Sequence, residues 1–258
     1  MASGEVGHQP ELTVRRLAWA GIEVTLGSTR VLIDALENAA HLEPVLGKPK
    51  APMPPVDAPD GTHALITHIH PDHYDVELLR RIVNTGTVGC YTSLVSDLAG
   101  DGLSAIGQEL GEARQLGDLT LTPVPSLDWR GEDQVAWVIE GGGRKIIHCG
   151  DTMWHGSWWQ IAEDHGPFDI AFLPVNGVIA RFQGFEANVP VTMSPEQAVE
   201  AAVALRARSA CAIHYFLFNN PPIYVEQTDI ESRFTTAGKG RNLPVVIAQI
   251  GELVDYPQ

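Results

Sequence analysis

Nine residues, Thr67 to Asp75, read THIHPDHYD and gather three histidines and two aspartates behind the apolar run Ala64, Leu65 and Ile66. Imidazoles and carboxylates are costly to desolvate alone, so such a cluster calls for something that pairs with it. A divalent metal would do so. His68 and His70 stand at i and i+2 at the tip of a candidate buried strand, and Asp72 and His73 follow in the turn that opens a helix. That spacing supplies ligands for two metals about 3.5–4 Å apart rather than one. Nine residues cannot close two coordination spheres, so further ligands are expected at other strand ends. Three candidates lie just beyond apolar runs: Asp128 in PSLDWR, Asp151 in HCGDT and His214 in CAIHYF.

The elements that must position these groups follow from periodicity and punctuation. Three β-like runs, 12–19, 22–26 and 30–34, are separated by Gly21 and by Gly27 with Ser28, which reads as an antiparallel meander. Residues 36–61 carry six prolines and no periodicity, a long loop placed to act as a lid. Helical spacing returns at 76–83, with Asp75 to cap it, and a strand at 88–91 and a short helix at 94–98 follow. Strands are expected at 119–124, 134–140 and 145–148, with Gly141 to Gly143 as a hairpin turn. After a helix at 158–163 come a strand at 170–173, a helix at 195–205 capped by Ser194, a strand at 210–214, a helix at 225–236 and a last strand at 245–250. Each half is thus a β meander followed by β/α alternation. The fold class is α/β: an αβ/βα sandwich of two mixed sheets with helices on the outer faces, formed by a single domain over 1–258.

Composition narrows the function. Of 258 residues 44% are hydrophobic and 19% charged, an ordinary globular balance, and the formal net charge is −15. That charge argues against a nucleic-acid or anionic-membrane partner, both of which want a basic face. A small-molecule substrate is the expected partner, and homo-oligomerisation stays open. The N-terminal MASGEVGHQPEL lacks a basic segment followed by an apolar one, and no run approaches the roughly 18 apolar residues that span a bilayer. Cys90, Cys149 and Cys211 are far apart and each sits in or beside an apolar run, so they read as buried free thiols of a cytoplasmic protein.

THIHPDHYD resembles the HxHxDH signature of the metallo-β-lactamase superfamily, and GDT at Gly150 to Thr152 is similar to that family's bridging-aspartate motif. His214 is placed like its last histidine. The resemblance extends over most of the chain, including LPVNG from Leu173, MSPEQAV from Met193 and AIHYFLF from Ala212. These segments look most like the branch that holds ascorbate-phosphate lactonase and the phospholipase D that releases N-acylethanolamines. The resemblance implies one metal on His68 and His70, a second on Asp72, His73 and His214, and Asp151 bridging them. Where the family usually adds a histidine to the first metal, this chain has Asp128. A harder oxygen ligand tilts that site toward manganese or iron relative to zinc. Two divalent ions are expected, zinc first, with manganese or iron as alternatives. Asp34 and Asp75 are read as groups that orient ligating imidazoles.

Lone histidines such as His41, His63 and His165 are read as surface or structural, and Trp137 as core. Trp129, Trp154 and His155 are candidates for an apolar substrate pocket. Asn176 and Arg181 follow a strand that ends on the same face, where Arg181 would clamp an anionic group. Tyr215 would donate to an oxyanion. The chemistry expected is hydrolysis by a hydroxide shared between two metals, with Asp72 and Asp151 as the catalytic carboxylates and a small ester, lactone or similar carboxylic-acid derivative as substrate. A phosphodiesterase or phospholipase on the same fold is the alternative within enzymes. A degenerate metal- or ligand-binding module is the alternative outside them.

Overall fold

The computed structural model describes residues 10–257 apart from Gln183 and Ala187, so the two chain ends included in the expected 1–258 domain lie outside the described residues. The first half supplies β1 (Thr13–Arg16), β2 (Ile22–Leu26), β3 (Thr29–Ile33), β4 (His63–Leu65), β5 (Val88–Tyr91) and β6 (Ala105–Gln108), which form one sheet in that order. β1, β2 and β3 are antiparallel, and β3 through β6 run parallel. The second half supplies β7 (Arg114–Leu116), β8 (Leu119–Pro125), β9 (Val135–Gly141), β10 (Arg144–His148) and β11 (Ile170–Pro174). A small ribbon, β12 (Ile179–Phe182) with β13 (Phe185–Glu186), precedes β14 (Ala210–Ile213), β15 (Tyr224–Val225) and β16 (Val245–Val246). The second sheet has the order β16-β14-β11-β10-β9-β8-β7, and β15 joins β12 and β13 in the ribbon.

Strand alternation sends successive side chains to opposite faces, and here it builds three apolar layers. Ile22, Val24, Val31 and Ile33 from the first sheet meet Leu121, Ile139, Ile146 and Phe172 from the second, forming the central core between the sheets. The neighbours Ile147, Ala171 and Leu173 face outward instead. They are covered by α4 (Trp158–His165), α5 (Pro195–Ala204) and α6 (Ile230–Gly240), with Trp158, Val199 and Phe234 fully buried. On the other side, α2 (Val76–Ile82) and α3 (Val95–Gly100) cover the first sheet through Leu78, Ile82 and Leu98. The result is the metallo-β-lactamase fold, two mixed sheets with helices outside.

Local signals account for the helix starts. Asp75 accepts from Leu78 N at the start of α2. Ser194 and Gln197 form a reciprocal capping box at α5, with Pro195 in its first turn. Several boundaries differ from the pattern reading. β1 ends at Arg16, because residues 17–21 close a tight turn through Leu17 N to Gly21 O and Gly21 N to Ala18 O. The helix expected at 225–236 starts at Ile230, since Tyr224 and Val225 pair with the ribbon. The last strand stops at Val246. Residues 36–61 are not wholly irregular, because a 3-10 turn at Ala40–Leu42 runs into a short helix, α1 (Glu43–Leu46). β6, β7 and the ribbon had no clear signature. Among the described residues no helix is long and apolar enough to cross a membrane.

Candidate metal centre

The parallel relation of β3 to β4, and of β10, β11 and β14 to one another, brings their C-terminal ends to shared edges. Those ends release Asp34, His68, Asp151 and His214. β8 pairs antiparallel with β9 and β9 with β10, so β8 points the same way as β10 and releases Asp128 at the same edge. Val135 N donates to Thr67 O and Trp137 Nε1 to Ile66 O, which ties the two sheets together beneath the cluster. The backbone is strained where it delivers these groups: Trp19, Asp34 and His214 have φ of 56°, 45° and 56°. Non-glycine residues adopt that region at a cost, and they do so where surrounding structure holds a functional geometry. Gly150, at φ 63°, makes the turn before Asp151, and a Cβ there would lie 3.0 Å from Thr67 Oγ1.

Ligand-type atoms fall into overlapping groups, each with its atoms within 4.8 Å of one another. One group is His68, His70 and Asp151, another is Asp72, His73 and His214, and a third is His70, Asp128 and Glu132. His68 Nε2 lies 3.6 Å from Asp151 Oδ1, His214 Nε2 3.5 Å and His73 Nε2 3.7 Å from Asp72 Oδ2, and His70 Nε2 3.8 Å from Asp128 Oδ2. Glu132, which the sequence reading overlooked, comes nearer to His70 than Asp128 does, at 3.0 Å. It is half in solvent, on the loop after Trp129.

Supporting hydrogen bonds determine which imidazole nitrogen faces inward. Asp34 accepts from Thr67 N, Thr67 Oγ1 and His73 Nδ1, at 2.9, 2.6 and 2.8 Å. Burial raises the Asp34 carboxyl, but the hydrogen bond and charge of His73, with His148 and His68 nearby, hold it down at about 2. Ionised, Asp34 can only accept, so His73 donates to it through Nδ1 and turns Nε2 to the site. The single hydroxyl hydrogen of Thr67 also goes to Asp34. His68 Nδ1, 3.0 Å from Thr67 Oγ1, must therefore donate to that oxygen, which leaves His68 Nε2 as an acceptor. His148 bonds Ala20 O through Nε2 and accepts from Gly150 N, bracing the turn that carries Asp151. Asp34 thus acts as expected. Asp75 does not touch an imidazole, because its oxygens accept from the backbone of Glu37, Asn38 and Leu78.

Charge and burial compete across the cluster. Burial lowers His68 to about 3 against the pull of Asp151. Burial also works to lower His73, yet Asp72, Asp34 and Asp151 together push it up to about 9. Burial opposes ionisation of Asp72 and Asp151, but the surrounding histidines prevail and both carboxyls are lowered. Asp128 goes the other way, raised by burial.

Buried side-chain atoms without any partner concentrate here: Nε2 of His68, His73 and His214, Oδ1 of Asp151 and Oδ2 of Asp128. Leaving one such group unpaired costs about 1–3 kcal/mol. Imidazole nitrogens and carboxylate oxygens without hydrogen-bond partners, aimed at common points, are the donor set of a divalent metal, so these residues fit one. The comparisons agree with that fit. Residues 29–215 match the family described as the β-lactamase superfamily domain. The chain belongs to the metallo-β-lactamase superfamily. A metal-dependent hydrolase of Thermococcus onnurineus is similar to it at 27% identity over 256 residues, covering 94% of this chain and 98% of that protein. One from Thermofilum pendens is similar at 26% over 248 residues, covering 95% and 99%. Among solved structures, Igni18, a metallo hydrolase from Ignicoccus hospitalis, shares the fold with a TM-score of 0.71 at 20% identity, covering 94% of this chain and 97% of that one.

The cluster opens at the strand ends into a pocket of about 440 Å³. His70, Asp72, Asp151 and His214 form part of its lining, while Leu42, Leu46, Trp129, Val178 and Phe182 give it apolar walls. Leu42 and Leu46 come from the 36–61 loop, which therefore contributes a wall. His41, read as surface or structural, is exposed at the rim and lies 3.3 Å from Pro71 O. Of the six candidate substrate residues only Trp129 lines this pocket. Trp154 and His155 pack on α4 instead, with His155 stacked on Trp158 at 3.9 Å. The Arg181 guanidinium is held by Pro222 O and Asn188 Oδ1, so it braces the ribbon. Asn176 is fully buried behind the wall, and the Tyr215 hydroxyl donates to Glu231 in a different cleft. Sequence reading missed Trp19, Thr67, Glu132 and Tyr224. Thr67 alone had a signal, its position directly before His68.

Proposed function

We propose that this chain is a metal-dependent hydrolase of small, neutral carboxylic esters or lactones with an apolar acyl part, working with two divalent ions, zinc first. The observation that carries this reading is the set of unpartnered, buried imidazole and carboxylate atoms at the floor of an apolar pocket. His68, His70, Asp128 and Asp151 would hold one ion, and Asp72, His73 and His214 the other, with Asp151 shared. Ions bound there would supply Lewis acidity, bringing the pKa of water toward neutrality and polarising a carbonyl oxygen. The relatives' description as metal-dependent hydrolases supports the same chemistry.

The rest is the work of the chain itself. Asp34 and Thr67 fix two imidazoles in the ligating tautomer. Asp72 and Asp151 line the pocket, so they are the carboxylates within reach of a proton leaving an attacking water. Leu42, Leu46, Trp129 and Phe182 bury the acyl group and exclude bulk water. Of the two enzyme readings, the walls favour the ester or lactone over the phosphodiester. Arg181 is turned to the ribbon, and Arg130 at the rim pairs with Glu132 at 3.2 Å. The buried thiols Cys90, Cys149 and Cys211 suit a reducing, cytoplasmic setting.

The test is a panel of 4-nitrophenyl esters, γ- and δ-lactones and bis(4-nitrophenyl) phosphate, run on protein reconstituted with zinc, manganese or iron. Ester or lactone turnover that chelation removes and metal restores is the expected result. Turnover that survives chelation, or that is confined to the phosphodiester, overturns the reading.

A further inference from the structure

The pocket wall contains one hydroxyl whose hydrogen has no acceptor among the described residues. Tyr224 of β15 is 4% exposed and lines the pocket beside Asp72, Asp151 and His214. Its oxygen accepts from Asn176 Nδ2 at 3.1 Å. The direction of that bond is set two residues further back. Val178 N can only donate, and it donates to Thr192 Oγ1 at 3.3 Å. Thr192 then passes its own hydrogen to Asn176 Oδ1. With Oδ1 turned to Thr192, the Asn176 amide must present Nδ2 to Tyr224. Asn176 is fully buried and Thr192 is 3% exposed, so neither has solvent to offer another partner. The relay therefore runs from the Val178 amide through Thr192 and Asn176 to the Tyr224 oxygen, and the last hydrogen in it points away from Asn176.

We infer that Tyr224 is a catalytic residue whose hydroxyl donates a hydrogen bond to the substrate oxygen that gains negative charge during attack. The inference rests on the hydrolase reading above. A donor already bonded at its oxygen is polarised and preorganised, so it loses little in reorienting when charge develops. A tyrosine hydroxyl ordinarily titrates at about 10, so at neutral pH Tyr224 serves as a donor and not as a base. Asn176 and Thr192 are positioning residues, acting through Tyr224. This relay takes the role that the sequence suggested for Tyr215, whose hydroxyl is committed to Glu231.

Tyr224→Phe removes the one oxygen and keeps the ring, so the pocket walls stay in place. Turnover of 4-nitrophenyl butyrate by zinc-loaded protein should fall about 100-fold in kcat with KM nearly unchanged, the size seen when a single oxyanion donor is lost. Independently of turnover, calorimetric binding of butylphosphonate, a tetrahedral anion, should weaken at least about tenfold, since a hydrogen bond to a charged acceptor is worth about 1.5–3 kcal/mol. Metal content should match wild type. Thr192→Val, which releases the Asn176 amide while leaving Tyr224 intact, should show a smaller loss in both readouts. If wild type turns over no ester but binds butylphosphonate in a Tyr224-dependent way, the ester reading falls and the donor stands. Equal kcat and equal butylphosphonate affinity in wild type and Tyr224→Phe, or no phosphonate binding by either, overturns the inference.

Discussion

Trp19 Nε1 donates to Asp72 Oδ2 at 2.9 Å, and the same indole ring lies 4.0 Å, centroid to centroid, from His214. One side chain thus fixes two of the candidate ligands, and it does so from a turn where Trp19 itself has positive φ. Its own carbonyl accepts from His214 N, which closes the arrangement. Trp19→Phe removes the N–H and keeps most of the ring. Groups that orient ligands typically contribute 10–100-fold in metal affinity. A loss of that size is expected in a competition titration against a chromophoric chelator. Wild-type affinity in a variant that still folds would show that Asp72 is oriented without the indole.

Asp128 holds its loop with one oxygen and faces His70 with the other. Oδ1 accepts from Arg130 N at 2.7 Å and Glu132 N at 3.2 Å, whereas Oδ2 is buried and unpartnered. Asp128→Asn keeps the loop acceptor and removes the charge. If two ions bind as proposed, elemental analysis after dialysis should show it losing one equivalent, while Asp151→Ala loses both together with turnover. Glu132→Gln, altered at an exposed carboxylate, should stay near wild type. Two equivalents retained by Asp128→Asn would remove Asp128 from the ligand set.

His155 gives a dependence of stability on pH that is separable from the metal. Burial against Trp158 lowers its folded pKa to about 4, below the ordinary 6.5. Between those values the unfolded chain binds a proton that the folded one does not, so stability falls as pH drops from 6.5 toward 4. Above 6.5 neither state is protonated and the effect vanishes. His155→Asn retains an acceptor near Ser157 N, which His155 Nδ1 now bonds at 3.2 Å, and removes the titration. Urea melts at pH 7 and pH 5, in matched metal, should show wild type losing roughly 1 kcal/mol more than the variant after discounting for partial solvation. Parallel losses in the two proteins would assign the acid sensitivity elsewhere.

The candidate ligands could be picked out, and the structure brings them together, because metal chemistry constrains both residue type and spacing, and HIHPDH leaves few other readings. The layered fold was legible for a related reason, since both sheets are built from apolar runs that alternate with capped helices, as at Ser194. What the sequence could not show is which groups meet across it. Trp19 reaches Asp72 only because residues 17–21 turn back, and the apolar run around it reads as continuous strand. Tyr224 sits in PPIYV, where nothing local separates it from Tyr215, which lies directly beside the candidate ligand His214 and yet points into another cleft. Arg181 follows a strand ending on the correct face, but the three-stranded ribbon turns it outward. Adjacency in sequence was misleading where a side chain's direction was decided by a distant partner.

The 36–61 loop provides the last test, because its 3-10 turn and helix α1 supply walls to the pocket through Leu42 and Leu46. If those walls bury an acyl chain, each methylene buried should add about 0.8 kcal/mol of binding in the transition state, roughly a fourfold rise in kcat/KM. Wild type should therefore climb from the acetyl through the butyryl to the hexanoyl 4-nitrophenyl ester until the cavity is filled. Leu46 is nearly buried, so Leu46→Ala should extend that climb to longer chains. Val45, on the same helix and 40% exposed, lies at the mouth, where Val45→Trp should cut it short while leaving the acetyl ester unaffected. A flat chain-length profile in all three proteins would mean that the acyl group does not enter this pocket, and the loop would then have no part in choosing the substrate.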